Sequence, residues 1–387
     1  MNLLDHAGLR SWLLDDVSEF WSSHIVDKKG GFFEALDDSG LAADADERMV
    51  LTQARLTYVF SHAYVLGSHP TMLRTAQHGF ESLVRSEQTS DGIGGWPRSS
   101  TASGSPLQVA RDAYDQAFVI FSMGWYFRAS GDPEALLLAD RAYDFMNRRL
   151  SDSIHGGFIE EYDPRGRPQK LPRRQNPHMH LLEATLTMFE VTGRPEWLER
   201  SQSLIELLED RFIDKSNGTL IEFFDIEWNP IAGEQGDWRE PGHHFEWVWL
   251  LLEFHRQTSD ERVLPIARTL YSFGCKYGID PSGPMAGFVH SGVDAQGRLV
   301  DGAKLLWPQT EFIKAMIALG RNNADESLEA LAFGHIARMR DAFFRADTVT
   351  WHNSLSPDGA PTEPGTPARV LYHLFLAISE ALKVKPR

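Results

Sequence analysis

Along the chain, apolar residues recur mainly three and four positions apart, as in Leu9, Leu13, Val17, Phe20 and Trp21, or Phe118, Phe121, Trp125 and Phe127. That period is helical, because residues so spaced share one face of a 3.6-residue turn. Strand-like alternation is confined to short connectors. The pattern predicts twelve helices, over 6–27, 44–67, 69–88, 112–130, 132–150, 177–193, 195–213, 241–258, 260–278, 308–322, 324–345 and 367–384. Four even-numbered ones open at Pro177, Pro241, Pro308 and Pro367. Proline suits the first helical position, where its fixed φ is already right and its missing N–H would have no partner.

The connectors repeat. Gly30-Gly31-Phe32, Gly94-Gly95-Trp96, Gly156-Gly157-Phe158, Asn217-Gly218-Thr219, Gly287-Phe288 and Thr350-Trp351 fall at residues 31, 95, 157, 218, 287 and 351, with steps of 64, 62, 61, 69 and 64. A period this long, present six times, predicts six helical hairpins. Each has one largely apolar and one more charged helix, as an inner and an outer ring require. The expected fold is all-α, an (α/α)6 barrel forming a single domain over 1–387. An open solenoid would leave the inner faces lining a groove, and six repeats favour closure.

Composition excludes several classes. The net charge of −16, from 38 Lys+Arg against 54 Asp+Glu, repels nucleic acid and anionic membranes. No apolar run is long enough to span a bilayer. A lone Cys275 allows no intrachain disulfide, and the start MNLLDHAGLRSW lacks the pattern of a signal peptide, so a cytoplasmic protein is expected, monomeric or homodimeric. Loops 98–110 and 228–240 are candidates for a lid.

In a parallel inner ring, the N-termini of the even-numbered helices share one mouth. Arg55, Asp115, His180, His243, Gln309 and His373 lie there at steps of 60, 65, 63, 66 and 64, among apolar neighbours such as Met179, Leu181 and Leu371. His180 and Glu183, like His243 and Glu246, are three apart on one helical face. Singly, such a pair reads equally as an inter-helix polar contact; recurrence at one end favours a site. His178-x-His180 and His243-His244 point to different faces, and no HExxH motif or cysteine pair occurs, so neither metal nor cofactor is expected. Histidine suits proton abstraction from a sugar carbon, and Arg55 could hold a developing oxyanion. Trp96, Trp307 and Trp351 are candidate stacking faces for a sugar.

The stretches QARLTYVFSHAY (53–64), YDQAFVIF (114–121), NPHMHLLEA (176–184), GHHFEWVWLL (242–251), LWPQTEFIKA (306–315) and YHLF (372–375) together resemble the N-acylglucosamine 2-epimerase family, which includes mannose isomerases and cellobiose 2-epimerases. The resemblance implies an (α/α)6 barrel. It implies His243 and His373 as the acid/base pair, Arg55 and Glu246 as further catalytic groups, and His180 as a binder of sugar oxygens. Tyr114, Asp115, Trp307, Gln309, Glu311, Trp96 and Trp351 complete the expected substrate-binding set. Where the family's disaccharide epimerases carry a Trp-Lys-Cys-Pro run before the last Tyr-His, this chain reads Pro367-Ala368-Arg369-Val370-Leu371. Ala368 cannot stack on a second ring, so a monosaccharide is expected. The implied activity is cofactor-independent aldose–ketose isomerisation of D-mannose and D-fructose, or related sugars such as lyxose; the alternative is a sugar 2-epimerase. Paired carboxylates also keep a glycosidase formally open.

Overall fold

The computed structural model describes residues 6–42, 45–88, 92–165, 171–346 and 348–384. Helix α1 is continuous from residue 6 to 24 through a π-helical stretch, Trp12–Val17. The other long helices are α2 Val50–Val65, α3 Thr71–Gln88, α4 Ala113–Ser130, α5 Pro133–Arg149, α6 Asn176–Thr192, α7 Pro195–Leu207, α8 Pro241–Thr258, α9 Val263–Tyr277, α10 Leu306–Asn323, α11 Glu326–Phe343 and α12 Leu371–Ala381. Local signals set several ends. Asp112, Asp132 and Asp325 each cap a helix by accepting a backbone N–H two residues on, and Gly131 and Gly193 close α4 and α6 in left-handed conformations.

The even-numbered helices form the inner ring. Each packs on the next, and α12 returns to α2, closing an (α/α)6 toroid. Inner helices are buried nearly all round, which is why their apolar residues leave no polar stripe. The outer helix α7 instead buries Trp197, Ser201, Leu204 and Ile205 and turns Glu196 and Glu199 outward. At the seam between chain ends, Trp21 stacks on Trp351 at 4.9 Å and Trp12 meets Phe344 edge-on at 5.3 Å.

Short antiparallel pairs rim the mouth. Glu47–Met49 pairs with Ser99–Thr101, Arg111–Asp112 with Glu161–Tyr162, Arg173–Arg174 with Phe223–Phe224, Trp238–Arg239 with Gly292–Asp294, and Lys304–Leu305 with Ser354–Leu355. Ala35–Leu36 with Thr366–Pro367 completes the circle. These pairings correct two expected helix starts. Of the helix predicted from 44, residue 44 lies outside the described residues and Glu47–Met49 is a strand before α2; Pro367 lies in a strand, with a 3-10 turn, Ala368–Val370, before α12. Both candidate lid segments contribute strands to the same rim.

One device recurs behind the rim. Gln53, Gln116, His178, His244 and Gln309 each accept the backbone N–H of a connector residue: Phe32, Trp96, Phe158, Leu220 and Val289 respectively. Gln116, His178, His244 and Gln309 also donate to the carbonyl four residues earlier, at or just before the start of the helix. Among the described residues, no helix is long and apolar enough to cross a membrane.

Candidate active site

The N-terminal turns of α2, α4, α6, α8, α10 and α12 bring together Arg55, Tyr114, Asp115, His180, His243, Glu246, Trp307, Glu311 and His373. Arg55 donates to the Tyr114 hydroxyl at 2.6 Å and to the Arg369 carbonyl at 3.3 Å. Its guanidinium lies 4.2 Å from the Phe118 ring centroid and 4.8 Å from that of Tyr372, so planar charge sits on aromatic faces. His180 Nδ1–H donates to Glu183 Oε2 at 3.2 Å, and the Tyr372 hydroxyl donates to the same oxygen at 2.5 Å. Burial pushes His180 down to about 3, leaving a neutral ring whose Nε2 is free.

The other two histidines flank Trp307, with ring centroids 5.0 Å (His243) and 5.8 Å (His373) from the indole. Their environments differ. His243 Nδ1–H donates to Glu222 Oε2 at 2.9 Å, and Glu240 lies 3.6 Å away. Burial opposes its charge, but Glu222 and Glu240 outweigh burial and push the imidazole up to about 10. Gln175 donates to the same Glu222 oxygen, at 2.9 Å, and accepts from Trp247 at 2.7 Å, which fixes the carboxylate. His373 Nδ1–H donates to Glu311 Oε1 at 2.8 Å. Burial, with Arg55 and Lys314 nearby, holds it well below the usual imidazole range. One imidazole is therefore cationic and the other neutral near pH 7.

Between them the floor is acidic. Glu246 is buried, and neither of its oxygens has a hydrogen-bond partner; Arg55 Nε and Glu183 Oε1 are likewise unpaired. A polar ligand rich in hydroxyls would satisfy such groups. Asp115 Oδ2 is also unpaired, and burial with the neighbouring Asp112 raises its pKa well above the usual range. The Glu246, Glu311 and His373 side chains cluster closely, as do Glu222, Glu240 and His243. Lys314 Nζ, 2.6 Å from Glu311 and 3.8 Å from Glu246, neutralises the first, and the His243 cation the second.

Three expected members lie elsewhere. Gln309 is fully buried and spends its amide on Val289 and Leu305, so it belongs to the connector-clamping series. Trp96 is fully buried and donates to the Leu83 carbonyl; Trp351 is fully buried against Trp21. Neither can offer a face to a sugar, and Trp307 remains as the part-exposed indole. The sequence reading missed Glu222, Glu240, Gln175, Lys314 and Tyr372. A signal for Glu222 existed: Phe32-Phe33-Glu34, Phe158-Ile159-Glu160 and Leu220-Ile221-Glu222 place a glutamate two residues beyond the clamped position, and all three carboxylates accept a backbone N–H at the start of the next inner element. Lys314 is one turn beyond Glu311, the spacing of an intrahelical ion pair.

Fold and site together define a toroidal (α/α)6 enzyme. The chain belongs to the N-acylglucosamine 2-epimerase (GlcNAc 2-epimerase) family, whose pattern matches residues 31–377, and it is an isomerase-type enzyme. It is 31% identical over 385 residues to a mannose-6-phosphate isomerase of Rhizobium meliloti (strain 1021), covering 97% of this chain and 96% of that protein. It is 25% identical over 395 residues to a D-mannose isomerase of Marinomonas mediterranea, covering 96% and 95%. A crystal structure of D-mannose isomerase superposes with a TM-score of 0.86 at 22% identity, covering 97% of each chain.

Proposed function

We propose that the enzyme interconverts D-mannose and D-fructose through a cis-enediol, without metal or cofactor. The observation carrying this reading is the pair of mouth histidines held in opposite protonation states on either side of Trp307. His373 Nε2, bare because Nδ1 carries the proton to Glu311, removes the C2 proton of the open-chain aldose and returns it to C1. His243, cationic, donates to the ring oxygen as the sugar opens and takes up the O1 hydroxyl proton released in the same step; at the enediol it gives a proton to O1 and takes the O2 proton, so the C2-to-C1 transfer by His373 is matched by an O2-to-O1 transfer. Arg55 stabilises the enediolate oxygen with its planar guanidinium donors. Glu246, Glu183 and His180 take the remaining hydroxyls, and Trp307 supports the carbon face.

The free sugar is a better fit than its phosphate. Arg98 pairs with Asp112 and Glu161, and Arg174 with Glu160, so these mouth cations are already spent on carboxylates. Glu222 and Glu240 outnumber the one His243 cation beside them, which leaves negative charge at the mouth to oppose a phosphate dianion. Ala368 at the last inner helix leaves no stacking surface there for a second ring.

Mannose deuterated at C2 tests the reading. One base acting on one face should pass part of the label to C1 of fructose, with little glucose formed early and mannose 6-phosphate turned over poorly. Glucose appearing before fructose would replace the isomerase with a 2-epimerase, in which the second imidazole delivers the proton to the opposite face.

A further inference from the structure

We infer that Lys314, buried beneath the site, is the positioning residue that keeps Glu311 ionised and thereby holds His373 with its proton on Nδ1 and its Nε2 lone pair free. This rests on the assignment of His373 as the base. Glu311 divides its two oxygens: Oε1 accepts from His373 Nδ1 at 2.8 Å, and Oε2 lies 2.6 Å from Lys314 Nζ. Both Glu311 and Lys314 are completely buried, and Lys314 lies over the Trp249 ring at 4.1 Å, shut off from solvent screening.

Glu311 cannot stay ionised there alone. Burial and Glu246 push its pKa up, Glu183 adds to the push, and Lys314 is the largest influence opposing it; the net direction stays upward, and it is the two facing donors, His373 Nδ1 at 2.8 Å and Lys314 Nζ at 2.6 Å, one on each oxygen, that hold the carboxylate form. Lys314 answers that push: burial opposes its charge, but Glu311, Glu246 and Glu183 outweigh burial and hold it as ammonium. The other groups facing the pair are Arg55 and Tyr58 on α2, His180 on α6, His243 on α8 and Tyr372 on α12. None of these reaches Glu311 Oε2 among the described contacts, so the ammonium alone offsets that oxygen's charge.

The proton's location on Glu311 decides which nitrogen of His373 is basic. An ionised Glu311 can only accept, so Nδ1 must carry the proton and Nε2 is bare. A protonated Glu311 would donate to Nδ1 and force the proton onto Nε2, and transfer of that proton to the ring would give imidazolium. Either change removes the lone pair that takes the substrate proton. Lys314 therefore acts on the reaction through two side chains without touching the sugar.

Lys314→Met, close in shape and uncharged, tests this, read by two-bond 1H–15N spectra of protein labelled with 15N-histidine, with the His373 signals assigned by their loss in His373→Asn. In the native enzyme at pH 7, His373 should be neutral with a bare Nε2. In Lys314→Met its Nε2 should carry a proton, and kcat should fall about 100-fold or more with little change in KM. A merely structural lysine would lower the melting temperature while leaving the bare Nε2 signal in place, and that outcome overturns the inference. Should Lys314→Met fail to fold, the native spectrum still decides: a protonated Nε2 on His373 at pH 7 refutes it. The spectra need no sugar, so they report on Lys314 even if mannose proves not to be the substrate.

Discussion

His243 and His373 carry the same side chain to opposite protonation states, and the difference lies in what their Nδ1 atoms meet. His243 faces Glu222, with Glu240 close by. His373 faces a single carboxylate already claimed by a lysine. Glu222 should therefore control the alkaline limb of the pH–rate profile. Activity that needs the His243 cation is lost as pH rises through its pKa, so in the native enzyme the plateau should extend toward about 10. Glu222→Gln removes the largest attraction for that proton and should move the limb down toward neutrality while sparing the acidic limb, measured as kcat/KM against pH. An unmoved limb would show that another group sets it. The mouth histidines were readable in the sequence because their spacing tracks the repeat. Their carboxylate partners Glu222 and Glu311 could not be matched to them from spacing alone, since the contacts cross 21 and 62 residues of chain.

At the scale of elements, each hairpin joins its two helices through a connector that must turn tightly while packing under the next inner helix. Gly156 and Gly157 both have positive φ, at 79° and 68°. A Cβ on Gly156 would meet nothing within 4 Å, whereas one on Gly157 would come within 2.9 Å of His178 Nε2, the atom that clamps Phe158. Alanine at either site costs on the order of 1–3 kcal/mol through backbone strain. Gly157→Ala should cost about 1 kcal/mol more, because the clamp bond must also give way. Urea unfolding of the two variants measures the gap, and equal losses would mean the clamp contributes little. The connector glycines announced the hairpins in the sequence. The rim strands did not, because runs of two or three residues such as Arg111–Asp112 carry no alternation to read, and pairing partners 50 residues apart are set by ring closure. That is also why α2 and α12 begin later than helical periodicity predicts.

Over the whole molecule, two periodic sets of polar residues run round the ring, one serving the site and one serving the fold. The first includes Arg55, Asp115, His180, His243 and His373; the second is Gln53, Gln116, His178, His244 and Gln309. They are offset by only one or two residues within each helix, and spacing alone placed Gln309 in the wrong set. The fold set uses glutamine and histidine for one task, accepting a connector N–H, and this interchange yields a test. Burial pushes His178 down to about 3 and His244 to about 4, so both stay neutral in the folded chain. In the unfolded chain each takes up a proton near pH 6.5. Between about 4 and 6.5 the unfolded state thus binds protons that the folded state refuses, and stability falls as pH falls, by up to about 1.4 kcal/mol per pH unit for each histidine. Glutamine at both positions can accept the same N–H and donate to the same carbonyl four residues back, as Gln116 and Gln309 already do. The double variant His178→Gln, His244→Gln should therefore match the native protein at pH 7 and become the more stable of the two at pH 5. Urea midpoints at the two pH values give the comparison. Parallel losses on acidification would mean that these histidines are already protonated in the folded chain, and that the clamp depends on something other than a neutral ring.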